Sequence, residues 1–389
     1  MSSKIKVCHY IPHGAIPDKR GFAPSIVVQN YTKTIDKDTI DMFFITNKED
    51  YKKNVETTPY GLTYRIKESR IYRRLFRKIT KFDPYPLHIR AAKIINKHPV
   101  DIFHAHQIEF PVNEFKKHLI NKNIKIVITS HVTVNQYNDS RGYADRYIPV
   151  AKYVKNILIQ KGYPKHLMNT ITNGIDTSMF KPSRNNHHIK EKYQIPQNSI
   201  VVSFVGRKQE VKGYDIFLQL AQYLLERYNN VYIISVGPEP SGTEKEKTYQ
   251  HRKEIEHILS KNKKFIDLPP LKHKSLVEIY QITDITILLS KGEPQGMTMV
   301  ESISSGCITL STATGGITET IKDNYNGFLM PESASIEDVI KKVEFIIKNL
   351  SSRKMEEIKA NGRKIALEKF DTKTITNKLE SLYKEIINE

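Results

Sequence analysis

An α/β chain of two doubly wound parallel-sheet domains is what the sequence predicts, on three observations. Short apolar strands alternate with longer amphipathic stretches, the rhythm of βαβ units. The rhythm runs, stops at a polar interval and starts again. The chain has 389 residues, enough for two domains at roughly 100–200 residues each.

In the first run, strands are predicted at residues 4–9, 42–46, 102–104 and 126–129, with helical patterns between them. Residues 181–198 are polar, carry Pro and His, and keep no period, so they are predicted to be the linker. The domains are then 1–180 and 181–371. In the second run, strands are predicted at 201–205, 231–236, 285–289 and 308–311. A helical run starts near residue 336, and a last amphipathic stretch covers 372–387.

Composition narrows the class. The chain is 39% hydrophobic and 26% charged, which excludes a disordered or low-complexity protein. Only Cys8 and Cys307 carry thiols, with no metal or CxxC spacing, so a disulfide framework is not expected and a cytoplasmic location is. No window reaches the roughly 18 apolar residues of a spanning helix, so neither export nor a membrane span is expected.

The net charge is +19, and it is unevenly distributed. Residues 1–180 hold 30 basic and 15 acidic side chains, and residues 51–100 alone hold 13 and 3. Such a patch calls for an anionic partner: nucleic acid, a phosphorylated substrate or an anionic membrane surface. Within it, Arg70, Arg73, Arg74, Arg77 and Lys81 fall at helical spacing beside Ile71, Leu75, Ile79 and Phe82. This is a basic amphipathic helix, which either lies on anionic lipid or turns its apolar stripe into a core.

The second run carries the chemistry. Its first strand ends in FVGRKQEVKGYD (204–215), placing Gly206, Arg207 and Lys212 at a strand-to-helix turn. Backbone N–H groups at a helix start favour anions, Arg adds a planar fork and Lys a point charge, a set suited to a diphosphate. Further on, Glu293 and Glu301 are separated by seven residues, with a helix start expected at Gly296 and Met297. Free N–H groups at Gly296, Met297 and Thr298 suit phosphate, and the two carboxylates suit sugar and ribose hydroxyls. An Asp36-Lys37-Asp38 triplet has the look of a metal motif but reads as a solvated loop.

Together these residues resemble the retaining glycosyltransferases of family 4. The resemblance extends to the GGITE segment (Gly315, Gly316, Glu319) and, in the first run, to DIFHAHQ (101–107), VITSH (127–131) and ITNGID (171–176). Three places depart from the pattern: the N-terminal turn offers Gly14 and Gly21 rather than a glycine pair, residues 267–270 read DLPP, and Pro294 and Gln295 follow the first Glu.

The resemblance implies the GT-B fold, two Rossmann-like domains facing a central cleft, with 372–389 packing back on the N-terminal acceptor domain. It implies a metal-independent transfer from a nucleotide-diphosphate sugar to a cell-envelope glycan or lipid-linked acceptor, with no cofactor. Arg207 and Lys212 then neutralise the leaving diphosphate, Glu293 positions the sugar and Glu301 the ribose. His131 completes the donor-sugar site, and Gly14 and His106 lie on the acceptor side. One of His104 and His106 is expected to be structural. Asn173 and Asp176 are expected to fix a turn, Gly315 and Gly316 to let ligand approach the backbone, and Glu319 to be a helix cap or a ribose contact. The rival readings are an inactive binding relative, a 2-epimerase on the same fold, and a basic nucleic-acid-binding protein, which RNP, KH or zinc motifs would accompany.

Overall fold

The structure, a computed structural model, describes residues 4–18, 22–48, 51–67, 70–80, 86–131, 142–183, 185–240 and 249–389, apart from the side chains of Arg70 and Arg77. It divides into two compact units, residues 1–174 with 372–389, and residues 175–371. The first crossing thus falls short of residue 180.

In the first unit, strands β1 (Ile5–Ile11), β2 (Ile40–Asn47), β3 (Val55–Thr58), β4 (Gly61–Ile66), β5 (Ile102–Ala105), β6 (Lys125–Ser130) and β7 (Arg146–Pro149) form one sheet in the order β3-β4-β2-β1-β5-β6-β7. All neighbours are parallel except the β3–β4 hairpin. Helices α1 (Ala23–Thr34), α2 (Arg70–Thr80), α3 (Leu87–Lys97), α4 (Val112–Lys117) and α5 (Lys152–Gln160) complete the run. β1 reads IKVCHYI and is buried from Val7 onward because both its faces are covered. Cys8 and Tyr10 pack with Ala91, Phe115 and Val154 of α3 to α5, whereas Val7 and Ile11 pack with Val27 and Val28 of α1. Burying each large apolar side chain stabilises the fold by about 1.5–3 kcal/mol. Register pairs His9 of β1 with His104 of β5.

The second unit contains α6 (His187–Lys192), β8 (Ile200–Val205), α7 (Tyr214–Arg227), β9 (Val231–Val236), α8 (Tyr249–Leu259), β10 (Phe265–Leu268), α9 (His273–Ile282), β11 (Ile285–Leu288), α10 (Met297–Ser304), β12 (Ile308–Thr312), α11 (Ile317–Thr320), β13 (Phe328–Met330), α12 (Ile336–Asn349) and α13 (Arg353–Ile365). Its sheet is wholly parallel, in the order β10-β9-β8-β11-β12-β13. Strand order reverses between β8 and β11, the switch point where open α/β sheets form a crevice at the strand C-termini. Phe217, Leu218, Ala221, Leu224 and Leu225 give α7 one apolar face against the sheet. Ser335 and Asp338 start α12 with reciprocal side-chain to backbone bonds, a capping box. Beyond α13, helix α14 (Thr372–Asn388) belongs to the first unit, where Ile375, Leu379 and Tyr383 join the Val7 face of the sheet.

One expectation is corrected. Residues 181–198 are not a linker, because Ile189 and Ile195 are 2% and 3% exposed and pack in the core of the second unit. Polarity there misleads because Lys190 is itself buried, its Nζ donating to Gln197 O and Ser199 O at 2.8 and 2.9 Å.

Candidate functional site

The second unit gathers its functional side chains at the β8/β11 switch point. Gly206 ends β8 with φ +157°, and its carbonyl oxygen would lie 1.7 Å from a Cβ on Gly237, so the loops after β8 and β9 cross at closest approach. Arg207, next in sequence, is exposed. A short turn of 3-10 helix, Glu210–Lys212, then leads to Gly213, whose left-handed backbone (φ +69°) starts α7. From that turn Lys212 donates a hydrogen bond to the Glu293 carboxylate, which also accepts from Ser290 Oγ at 3.4 Å. Both side chains of this pair are 15% exposed.

Gly296, left-handed at φ +79°, starts α10. Met297 and Thr298 occupy its first turn, and Thr298 Oγ1 donates to Val205 O at 3.3 Å, tying the helix start to the end of β8. Glu301 lies one turn further, accepting from Tyr280 Oη at 3.0 Å, with His273 Nε2 at 3.9 Å. Burial pushes its carboxyl pKa up to about 7, the Tyr280 bond opposing that rise. Tyr280 and His273 both sit on α9, and no sequence pattern links that helix to Glu301.

Gly315 and Gly316 serve a different approach from the one expected. A Cβ on either would lie 2.1 Å from a main-chain oxygen, of Glu293 and Pro294 respectively, so they bring two protein segments together. Gly316 N donates to Glu293 O at 2.8 Å, which fixes the loop that carries Glu293. Glu319 is exposed in the first turn of α11, where no side chain caps the helix. Sequence reasoning also missed Lys208. It is 3% exposed and its Nζ lies 2.7 Å from Asp267 of the DLPP segment.

The first unit holds a stack of imidazoles at the C-terminal ends of β1, β5 and β6. His9 Nδ1 lies 2.9 Å from His106 Nε2, and His106 Nδ1 lies 3.1 Å from His131 Nε2. His104 bonds Tyr383 Oη at 2.5 Å and Thr129 Oγ1 at 2.6 Å, and is the structural member of its pair. Burial drives the pKa of His9 down to about 3 and of His131 to about 4, the Asn173 side chain beside His131 opposing the latter shift. His104 and His106 are also held well below the usual range by burial. His9, His104 and His106 offer nitrogens within 4.8 Å of one another. A metal ion fits them poorly, because the four nitrogens of His104 and His106 already bond neighbouring side chains.

His106, expected on the acceptor side, is 7% exposed and turns both nitrogens to other imidazoles. Gly14 is buried, and a Cβ there would lie 2.2 Å from Ser25 Oγ in the first turn of α1. Asp176 accepts from Ser178 Oγ at 2.6 Å and Met179 N at 3.2 Å, as a turn residue does. Asp36 likewise holds its own loop, accepting from Asp38 N and Thr39 Oγ1 at 2.9 and 3.1 Å.

On α2 the apolar stripe faces solvent: Ile71, Leu75 and Ile79 are 76%, 56% and 81% exposed. Among the described residues, these three side chains do not face a core. Lys81 and Phe82 lie outside the described residues. Among the described residues, no helix is long and apolar enough to cross a membrane.

Comparison with known proteins places this geometry. Residues 185–365 match the model for glycosyl transferases group 1, and residues 24–179 that for glycosyltransferase family 4. A D-inositol 3-phosphate glycosyltransferase of Corynebacterium urealyticum is 31% identical over 44% of this chain, and the match spans 42% of that relative's length. A lipopolysaccharide 1,2-N-acetylglucosaminetransferase of Salmonella typhimurium is 22% identical over 81% of this chain and 82% of its own. The crystal structure of a glycosyltransferase from Rickettsia africae superposes with a TM-score of 0.76 at 20% identity, covering 99% of both chains, which shows the GT-B fold, built of two Rossmann-like domains.

Proposed function

The chain belongs to the family 4, group 1 glycosyltransferases, and from that premise we propose that it transfers a sugar, with retention, from a nucleotide-diphosphate donor to a hydroxyl of a cell-envelope glycan or lipid-linked acceptor. The observation that carries the reading is the meeting of Lys212 with Glu293 at the β8/β11 switch point, beside the helix start at Gly296.

In the transfer, the anomeric C–O bond to the diphosphate breaks and the diphosphate leaves with the electron pair. The acceptor oxygen bonds the anomeric carbon, and its proton passes to the departing phosphate oxygen on the same face. Arg207 and Lys212, with the N–H groups of Gly296, Met297 and Thr298, neutralise charge as it builds on the diphosphate. On this reading the two cations and the helix dipole, rather than a metal ion, take up the charge of the leaving group. Glu293 accepts from sugar hydroxyls, its position set by Lys212 and Ser290. Glu301 accepts from the ribose hydroxyls. His131 hydrogen-bonds a sugar hydroxyl.

The exposed stripe of α2 supports an acceptor presented at a membrane surface. Ile71, Leu75 and Ile79 enter the headgroup boundary of an anionic membrane while Arg74 and Lys78, exposed on the same helix, meet lipid phosphates. The protein then works at the inner face of the cell membrane, where a lipid-linked acceptor is presented.

Thermal unfolding of the protein and of Glu301→Ala against UDP, GDP, ADP and their sugars tests the donor assignment. A nucleotide at 100 times its dissociation constant adds about 2.7 kcal/mol. One nucleotide series should raise the unfolding temperature of the native protein and leave the variant unmoved. Equal shifts in both proteins, or a shift only with polyanions, would remove the reading.

A further inference from the structure

Arg252 of α8 is a buried cation that the transfer mechanism leaves unused. It is 1% exposed. Its Nη1 donates to the main-chain oxygen of Lys208, and its Nη2 lies 3.3 Å from the Glu239 carboxylate. Its Cζ is 5.0 Å from the ring centroid of Tyr249 and 5.5 Å from that of Tyr214. We infer that Arg252 is a positioning residue, which fixes the main chain beside Arg207 and so holds the Arg207 guanidinium ready for the donor diphosphate. The inference deepens the reading of Arg207 as a diphosphate cation and rests on it.

Arg207 lies between two pinned residues. Before it, Gly206 N donates to Val236 O at 3.0 Å, and the Gly206 carbonyl is pressed against Gly237. After it, Lys208 is held at three points. Its N–H donates to Pro238 O at 3.0 Å, its carbonyl accepts from Arg252, and its Nζ lies 2.7 Å from Asp267. Gln209 N then donates to Arg207 O at 2.8 Å, which closes a tight turn. Arg207 itself is exposed. An exposed side chain loses freedom when it grips an anion, and a backbone fixed beforehand removes part of that cost. Of the three tethers on Lys208, two come from the ends of β9 and β10, and the one from Arg252 alone comes from a helix.

Charge balance explains both why an arginine stands here and why it can be replaced. Burying a guanidinium is costly, and an apolar side chain of similar volume often serves stability as well, so the charge needs a task. The task fits a planar fork, with one Nη for the carbonyl and the other for Glu239; a lysine ammonium is a single point of charge. Lys253 lies 2.9 Å from Glu239 and also donates to Glu256, while Lys208 keeps Asp267. Each of these three carboxylates therefore retains a cation when Arg252 is removed.

Amide hydrogen exchange in the ligand-free protein reads the tether directly. Arg252→Ala, and to a smaller extent Arg252→Lys, should speed exchange at Gly206 and Lys208 by about tenfold or more and leave the amides of β12 unchanged. Titration calorimetry with UDP, GDP and ADP then separates positioning from folding, on the native protein, Arg207→Ala, Arg252→Ala and the double variant. For the diphosphate that binds the native protein, Arg252→Ala should weaken binding about tenfold while Arg207 is present, and less than about twofold once Arg207 is alanine. Arg252→Lys should fall between native and Ala.

A merely structural arginine would weaken binding by the same factor in both backgrounds, and that result would overturn the inference. Unchanged exchange at Gly206 and Lys208 would overturn it too, whatever happened to nucleotide affinity. If Arg252→Ala does not fold, Arg252→Lys carries both measurements, and native behaviour in either sinks the idea. Faster exchange in a protein whose native form binds none of the three nucleotides would remove the proposed function, and the task of Arg207 with it. Native binding with equal losses in the two backgrounds would remove this inference alone.

Discussion

Lys212 and Glu293 are 81 residues apart in sequence and share a hydrogen bond, because the strands that precede them, β8 and β11, are neighbours in the second sheet. On the proposed function the pair places a cation for phosphate beside a carboxylate for sugar, and their hydrogen bond holds each side chain against the other. Lys212→Ala should lower turnover by at least about a hundredfold, the scale of losing one preorganised electrostatic contact. Single and double substitutions with Glu293→Gln should show a coupling of about 1 kcal/mol in unfolding free energy. Additive effects, or near-native turnover without Lys212, would separate the pair from the chemistry.

In the ribose-binding role proposed for it, Glu301 makes donor binding pH-dependent. Its pKa of about 7 means that near neutrality the carboxyl is about half protonated, and only the ionised form accepts from both ribose hydroxyls. Nucleotide affinity should therefore rise with pH through about 7 and level off above it, falling about tenfold per unit below. His273 and Tyr280, the polar groups facing Glu301, belong in the same titration. The stability sign is opposite. A carboxyl whose folded pKa is raised stabilises at low pH and loses that contribution as pH rises from the unfolded value of 4.5 through 7. Glu301→Gln should thus raise the unfolding temperature at pH 8, have little effect at pH 4.5, and abolish at pH 8 a nucleotide shift that the native protein itself loses by pH 4.5. Calorimetry with and without nucleotide reads all three.

How much of this was legible beforehand depended on sequence distance. The continuous apolar runs that became β1, β8 and β9 announce themselves, because strands covered on both faces need no polar alternation. The β3–β4 hairpin and β7 escaped notice, being four to six residues long with polar residues among them. Glu293, Glu301, Arg207 and Lys212 were legible as residue types at a spacing. Their pairing was not, because it depends on which strands lie side by side. Tyr280, His273 and Lys208 carried no signal at all, since each acquires meaning only from what folds against it. His9 could have been suspected, as a histidine in the middle of an otherwise apolar strand.

The buried His9 gives an acid sensitivity with a defined window. Its folded pKa of about 3 lies below the unfolded 6.5, so its contribution is complete above pH 6.5 and is lost as pH falls toward 3. Within the window the loss is about 1.4 kcal/mol per pH unit. His9→Phe removes this titration, so the cost of the substitution should be greatest at pH 8 and shrink toward pH 5. Denaturant unfolding at the two pH values checks the difference, and a constant cost would contradict a neutral buried His9.

The exposed face of α2 predicts binding to vesicles rich in anionic lipid and little binding to neutral ones, weakening with salt. Replacing Ile71, Leu75 and Ile79 together by Ser should abolish sedimentation with anionic vesicles. The unfolding temperature should stay within a degree or two, because those side chains are already in water and contribute little to the fold. A large loss of stability would mean that the stripe supports the fold after all.

Gly315 tests whether the Glu293 loop must be held where it is. The residue has φ +51°, and a Cβ would meet Glu293 O at 2.1 Å, so Gly315→Ala faces both backbone strain and a clash. Backbone cannot swing aside like the end of a flexible side chain, so the loop carrying Glu293 must shift. A displacement of the carboxylate by about an ångström is enough to cost about a hundredfold in turnover. Gly292 is the control, since a Cβ there has no atom within 4 Å. Gly292→Ala should keep native turnover and stability, while Gly315→Ala loses turnover and is destabilised by about 1–3 kcal/mol. If both variants turned over normally, the close approach of Gly315 to Glu293 would be a packing detail with no bearing on how the sugar is held.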